Sequence, residues 1–167
     1  MQIDTRITDQ DQVKRITKAI GGQAFAVLST VSDAGFPHAA GIAYDSVGST
    51  MFVHTMRSAR KTRNIATNDK VAIVIPVRKL PVGPPFTIHF QGRAAILDMD
   101  DPEIGALVKG NQLGTIAGHG ALEEPDGCFL KIEATGVVHS YGIGVSTLGL
   151  IRDPLHAGAR SVRLEGV

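Results

Sequence analysis

The segment at residues 51–76, MFVHTMRSARKTRNIATNDKVAIVIP, contains the strongest indications of fold and function in this chain. Apolar runs at 51–54 and 71–75 predict two strands, with a helix between them. The start of that helix is rich in positive charge. Its cations, interleaved with the hydroxyl side chains Thr55, Ser58 and Thr62, are Arg57, Arg60, Lys61 and Arg63.

Positive charge at the beginning of a helix is unusual because it opposes the helix dipole. The backbone N–H groups of a first helical turn have no partner within the helix, so they can bind an anion. Nearby guanidinium and ammonium groups add charge-assisted hydrogen bonds. The alternative is a solvated helix face with Ile65 packed inward, which charge count alone favours. The position of the cations instead favours a site for a phosphorylated small molecule.

Length and charge restrict the classes of function. The chain has 167 residues and 17.6 kDa, which predicts one domain over residues 1–167. With 17 basic and 16 acidic residues, the net charge of +1 gives no overall attraction to nucleic acid or to a membrane. The polar N-terminus is unlike a secretory signal, and no apolar run reaches the length of a membrane span. We therefore expect a soluble, cytoplasmic protein whose partner is a small molecule.

Cysteine and histidine give no indication of a metal centre. Cys128 is the single cysteine, so no intrachain disulfide can form, and a position at the start of a strand predicts burial. The six histidines lack the spacing of metal ligands, so we predict no metal site.

Periodicity and turn residues predict a mainly β chain with flanking helices. An N-terminal helix within residues 1–22 begins at a capping box of Thr8 and Asp11. A turn is predicted at 45–50, a loop at 114–127, and a tail at 142–167 that wraps onto a neighbouring subunit. Gly92 predicts a bulge in a long strand. The remaining predicted strands lie at 24–31, 38–44, 71–77, 86–97 and 129–141, and a further helix lies at 101–110.

Three stretches together carry a resemblance to a known family. They are FAVLSTVSDAGFPHAAGIAYD at 25–45, MFVHT at 51–55 and ARKTRNIATNDKVAIVI at 59–75. In this order they resemble the pyridoxamine 5′-phosphate oxidase-like split β-barrel family, whose members are homodimers that bind FMN or, in one branch, the deazaflavin F420. The resemblance covers residues 25–141 and implies a mainly β, homodimeric split β-barrel.

The resemblance also implies roles for individual residues in cofactor binding. Arg60 and Lys61 take the place of the family's Arg-Lys pair, which holds the flavin phosphate, and Arg57 and Ser58 flank it. The other residues implied to contact the cofactor are His54 and Thr55 along the ribityl chain and ring edge, Ala40, Gly41 and Ile42 along the isoalloxazine, and His89 and Gln91 from the partner subunit. Small residues in a strand fit a close approach of neighbouring protein equally well.

The chain departs from the family pattern at several positions. His54 replaces an aromatic residue and Asp69 replaces a proline. The C-terminal Arg and His arrangement of the oxidase itself is not reproduced by Arg152, Asp153, Pro154 and His156. The run at 61–64 resembles the F420-binding branch, in which Arg57, Arg78 and Lys79 would contact the acidic tail of that cofactor.

These features predict a flavin-dependent oxidoreductase that binds FMN at a dimer interface and transfers hydride to or from a small molecule. His89 is the best side-chain candidate for a catalytic proton donor. Two alternatives remain open: an F420-dependent reductase on the same barrel, and a flavin- or haem-binding protein without turnover. In the haem alternative, His119 or His156 would supply the axial ligand.

Overall fold

The computed structural model describes residues 10–77, 86–153 and 156–164, with Thr147 described by its backbone alone. The predictions made at Thr8, Arg78, Lys79 and Pro154 lie outside these residues. The helices are α1 (Gln10–Gly21), α2 (Arg60–Thr67), α3 (Pro102–Lys109) and α4 (Thr147–Arg152). The strands are β1 (Phe25–Val31), β2 (Pro37–Ala43), β3 (Asp45–Val47), β4 (Thr50–Met56), β5 (Lys70–Val77), β6 (Phe86–Leu97), β7 (Gly127–Tyr141) and β8 (Ala159–Arg163).

All eight strands form one antiparallel sheet in the order β2-β1-β5-β6-β7-β4-β3, and β8 pairs with β7 beside this path. The sheet curves into a half-barrel with helices at its sides. This architecture confirms the prediction of a mainly β fold with flanking helices. Within the described residues, no helix combines the length and apolar character needed to cross a membrane.

The main core lies inside the curved sheet. Side chains alternate between the two faces of each strand, so Ala26 and Leu28 of β1 point inward and are fully buried. Helix α1 covers one side of this core with the buried side chains of Ile16 and Ile20. The hydroxyl of Tyr44 donates a 2.7 Å hydrogen bond to the Ile20 carbonyl and ties α1 to the sheet.

A second apolar cluster lies between β4, β7 and α3. Phe52 and Phe129 meet Ile104, Leu113 and Ile116 there. Helix α3 begins as predicted, with Pro102 at its first position and the Asp101 carboxylate accepting from the Glu103 N–H at 2.8 Å. The two sides of β4 therefore face different clusters.

The predicted bulge at Gly92 is confirmed. The pairing of β6 with β7 shifts register between Phe90 and Gly92. A Cβ atom at Gly92 would lie 2.4 Å from the Glu133 carbonyl oxygen, so only glycine allows the two strands to approach this closely.

Three predictions about elements need correction. Residues 45–47 form β3, which pairs with β4, where only a turn was expected. Helix α2 begins at Arg60, so Arg57 and Ser58 belong to the preceding turn. The tail contains α4 and β8, and β8 pairs with β7 of the same chain, where no regular element was predicted. Sequence periodicity failed at these segments because they are short and long-range pairing determines their conformation.

Candidate functional site

The turn between β4 and α2 is held by two acidic side chains from distant parts of the chain. The Arg57 guanidinium forms an ion pair with Asp98, and the Arg57 N–H donates to the Asp126 carbonyl at 2.8 Å. The Ser58 hydroxyl and N–H both donate to the Asp126 carboxylate, the latter at 3.1 Å. Thus Arg57 and Ser58, both predicted to bind a cofactor, already have partners within the protein.

These contacts affect the Asp126 carboxyl group. The hydrogen bonds from the hydroxyl and N–H of Ser58 lower its pKa, and the positive charge of Arg57 adds to the effect. Asp126 is therefore ionised at neutral pH and holds the turn in place through charge-assisted hydrogen bonds. This turn carries the chain directly into the cationic start of α2.

Arg60 and Lys61 occupy the first two positions of α2 and have no hydrogen bond or ion pair with any described residue. The N-cap residue, Ala59, provides no side-chain hydrogen bond, and the first turn has no acidic residue. The dipole and the unpaired N–H groups of this turn favour an anion, and the two free cations add to that preference. This end of α2 has the charge and the free donors that a phosphate group requires.

The hydroxyl of Thr62 fixes the direction of the same helix by donating to the Met56 carbonyl at 2.7 Å. Arg63 donates to the Ser58 carbonyl at 2.7 Å. On the buried side, the Asn64 side chain donates to Thr30 of β1 at 2.9 Å. The cationic turn is thus attached both to the end of β4 and to the sheet.

A cavity of about 370 Å³ lies between α2 and the β1–β2 hairpin. Helix α2 lines it with Arg60, Arg63 and Asn64, and the hairpin lines it with Ser32, Phe36, Pro37 and His38. The Nδ1 atom of His38 is buried and has no hydrogen-bond partner among the described residues. Sequence analysis did not select His38 for this site. The antiparallel register that places His38 opposite Thr30 explains its proximity to α2.

The small residues of β2 take different positions from one another. Ala40 lies half-buried on the inward face, and Ile42 is buried in the main core. Gly41 faces outward, where a Cβ atom would lie 2.9 Å from the ring of Phe25. The close neighbour of Gly41 is therefore an aromatic ring of this chain, and Ile42 presents only its backbone to any ligand.

His54 and Thr55 point to opposite faces of β4. Thr55 is buried opposite Cys128 on β7, whereas His54 packs edge-on against Phe129 with ring centroids 5.3 Å apart. Burial lowers the pKa of His54, and the negative charge of Glu124 partly offsets this effect by raising it. Its Nε2 atom is buried without a partner among the described residues. The two side chains therefore do not converge on one point.

Cys128 is fully buried, as the sequence predicted. Burial raises the pKa of its thiol, while the charge of Arg57 acts in the opposite direction. The side chain is therefore a neutral part of the core and not a nucleophile.

His89 and Gln91 lie on the outer face of β6, in a groove of about 600 Å³ that Val74 and His139 also line. The rings of His89 and His139 stack with centroids 5.1 Å apart, and His139 Nδ1 lies 2.8 Å from the Ser161 hydroxyl. Burial, and then repulsion from His139, lowers the pKa of His89, so its ring is neutral at pH 7. Within one chain this groove is separate from the cavity at Arg60.

A family model described as pyridoxamine 5′-phosphate oxidase matches residues 12–140. No curated protein sequence matches the chain. The haem-storage protein HutZ from Vibrio cholerae superimposes with a TM-score of 0.67 at 18% identity, over 78% of this chain and 95% of that one. A haem-binding protein from Mycobacterium smegmatis gives a TM-score of 0.68 at 16% identity, over 95% of this chain and 59% of that one.

A third similar structure is an FAD-binding protein from Mesorhizobium loti. It superimposes with a TM-score of 0.59 at 18% identity, over 76% of this chain and 89% of that one. Identities this low establish the fold alone. The fold thus occurs both in a protein named for flavin binding and in proteins named for haem binding or storage.

Proposed function

The chain belongs to the pyridoxamine 5′-phosphate oxidase family, and from this membership we propose that it is a flavin-dependent oxidoreductase. Its cofactor is FMN, or the FMN unit of a longer flavin. One observation carries the proposal: Arg60 and Lys61 begin an uncapped helix and have no partner among the described residues. An anion at this position would neutralise two cations that otherwise oppose the helix dipole.

The residues of α2 suit a phosphate better than a carboxylate or a neutral group. Arg60 offers several N–H donors in a planar fork, and Lys61 offers a compact charge beside it. His38 lines the same cavity as Arg60. A phosphate carries three terminal oxygens and about two charges, so it can accept from several of these donors at once.

A bound flavin supplies the hydride-transfer chemistry, and the protein supplies binding, orientation and electrostatics. Arg60 and Lys61 anchor the phosphate and thereby fix the position of the ring. The backbone of β2 at residues 40–42 would line the ring of a bound flavin. Asp126 acts indirectly, because its hydrogen bonds hold the turn that presents Arg60.

The proposed enzyme is a homodimer, in which a second copy places its His89 and Gln91 beside the cofactor. The groove that contains both residues lies on the outer face of the sheet and includes the exposed apolar side chain of Val74. A neutral His89 is able to exchange a proton with substrate at pH 7. The single, buried cysteine fits a reducing compartment, so we place the enzyme in the cytoplasm.

The test of this function is a titration of the purified protein with FMN and with F420, followed by cofactor fluorescence. Saturable binding of FMN supports the proposal. Binding of F420 with no binding of FMN would make the enzyme a deazaflavin reductase on the same barrel. Failure of both to bind would overturn the proposal.

Haem binding is the second candidate function, favoured by the names of two similar structures. Of its two candidate ligands, His156 has its Nδ1 atom 2.9 Å from Asp153, and His119 is exposed in a loop with φ of 57°. A Soret band after addition of hemin, lost in His119→Ala or His156→Ala, would favour this function. Hemin that remains unbound would exclude it.

A further inference from the structure

A cavity of about 760 Å³ lies between α1 and the segment at 142–146 that joins β7 to α4. This volume is within the range of small-molecule sites. Helix α1 lines one wall, and the opposite wall combines the end of β5 with the segment after β7. The two walls include Arg15, Lys18, Ala19, Val77, Ile143 and Val145. None of the described lining residues also lines the cavity at Arg60, so the two sites are separate.

Buried contacts fix the two walls of this cavity relative to each other. The Gln12 side-chain amide of α1 donates to the Ile143 carbonyl at 2.9 Å. The next residue, Gly144, has φ of 76°, and a Cβ atom there would lie 2.4 Å from Gln12 Oε1. The same Cβ atom would lie 3.3 Å from Cδ of Arg15. The aliphatic part of Arg15 therefore lies against this turn, and its guanidinium group remains at the rim of the cavity.

The walls of the cavity are apolar and its rim is cationic. Val77 and Ile143 are buried, and Val145 is half-buried. Arg15 and Lys18 are exposed and lie three residues apart on one side of α1. Neither cation forms an ion pair with a described residue, and no carboxylate is among the described lining residues. A ligand that fits both features has an apolar body and an anionic end.

The end of α1 at this cavity limits the charge of the anion. The helix ends at Gly21, and Gly22 lines the cavity. The last carbonyl groups of a helix carry the equivalent of about half a negative charge, which Lys18 in the last turn offsets. Arg15 then remains as one uncompensated cation, and its planar guanidinium group can bind both oxygens of a carboxylate. A singly charged carboxylate therefore fits better than a doubly charged phosphate.

We propose that this cavity binds a small monocarboxylic acid with an apolar body, at a site that does not depend on the proposed flavin chemistry. The Arg15 guanidinium binds the carboxylate, and Val77 and Val145 contact the apolar body. Gln23 also lines the cavity, and its side-chain amide can donate to a carboxylate oxygen. The bound acid contacts both α1 and the segment after β7, so it stabilises the folded protein.

The experiment measures the dissociation constants of octanoate and 1-octanol for the purified full chain by isothermal titration calorimetry. We expect one octanoate molecule per chain, bound about tenfold or more tightly than 1-octanol, because only the acid forms a charged hydrogen bond with Arg15. Equal affinities for the acid and the alcohol would overturn the proposal, since they would show apolar contact without recognition of charge. Absence of saturable octanoate binding below about 1 mM would also overturn it.

A variant of Arg15 and a neighbouring control test which cation binds the carboxylate. Arg15→Gln should weaken octanoate binding about tenfold and change 1-octanol affinity less than about twofold. Lys14→Gln removes an exposed cation from the adjacent position of α1, which does not line the cavity. This control should change octanoate affinity less than about twofold. Losses of equal size in the two variants would overturn the site, because overall charge would then determine binding.

Val145→Asp tests the opposite wall without altering α1. A carboxylate at this half-buried position should repel octanoate and abolish its saturable binding. Thermal unfolding checks that the variant is folded, and its FMN affinity should equal that of the wild type because the two sites are separate. Octanoate affinity that is retained in Val145→Asp would overturn the location of the site. Octanoate binding by a wild-type protein that binds no flavin would overturn the proposed function and support this site.

Discussion

The side-chain amide of Asn64 donates a 2.9 Å hydrogen bond to the hydroxyl of Thr30, and both residues are buried. This bond joins α2 to β1 on the side of the helix opposite the solvent. It therefore sets the height and rotation at which α2 presents Arg60 to the cavity beside the β1–β2 hairpin.

We predict that Thr30→Val destabilises the protein by about 1–3 kcal/mol, because the shape is retained while the Asn64 donor loses its partner. The free energy of unfolding in urea would measure the loss. Asn64→Ala combined with Thr30→Val should cost less than the sum of the single changes. Gln112→Ala, at an exposed position, is the control and should have little effect.

Lys61→Ala should weaken FMN binding by about 1.5–3 kcal/mol, the usual contribution of a hydrogen bond to a charged group. Riboflavin lacks the phosphate, so its affinity should be the same in the variant and the wild type. Fluorescence titration gives both constants, with Lys14→Ala as the matched control. FMN affinity that is unchanged in a folded Lys61→Ala protein would contradict the phosphate site.

Gly92→Ala should destabilise the protein by about 1–3 kcal/mol, since its Cβ atom would lie 2.4 Å from the Glu133 carbonyl oxygen. The backbone of β6 or β7 must move to relieve this contact. Gly105→Ala in α3 is the control, because a Cβ atom there meets nothing within 4 Å. That change should stabilise the protein by about 0.5–1 kcal/mol. Thermal unfolding of both variants checks the contrast.

Stability should fall as the pH decreases from about 7.5 to 5.5. Burial lowers the pKa of His54 from its usual 6.5, so the unfolded chain binds more protons than the folded protein in this range. His89 contributes with the same sign. Urea unfolding at the two pH values should show a smaller decrease in His54→Gln than in the wild type. A decrease of equal size in both proteins would show that His54 is not responsible.

The thiol of Cys128 should react slowly with a disulfide reagent in the native protein and completely after denaturation. The residue is fully buried, and burial raises its pKa, which reduces the thiolate population. Because it is the single cysteine, the absorbance of the released chromophore reports on this site alone. Rapid reaction of the native protein would mean that β7 opens locally at its first residues.

Local patterns identified several elements to within one residue. The predicted strand at 86–97 has the same limits as β6, and its bulge lies at Gly92 as expected. The helix predicted at 101–110 agrees with α3, which has Asp101 as its N-cap and Pro102 as its first residue. These predictions succeeded because a glycine at a close approach and a cap with proline act through their immediate neighbours.

The sequence pattern did not predict contacts between residues that are distant in the chain. Arg57 was grouped with the other cations, yet it pairs with Asp98, and Ser58 is bound by Asp126. These partners lie 41 and 68 residues away. The same limit applied to β8, which depends on pairing with β7.

The amino-acid sequence by itself determined the family, the mainly β architecture and the concentration of cations at the start of α2. The tertiary structure decided which of those cations are free. Asp98 and Asp126 neutralise the turn before α2, while Arg60 and Lys61 have no partner among the described residues. The pairing of β1 with β2 brings His38 to the cavity that Arg60 also lines. The physical reason is that the residue types fix where the charges lie along the chain, whereas the pairing of those charges depends on distant residues that come into contact only when the sheet curves.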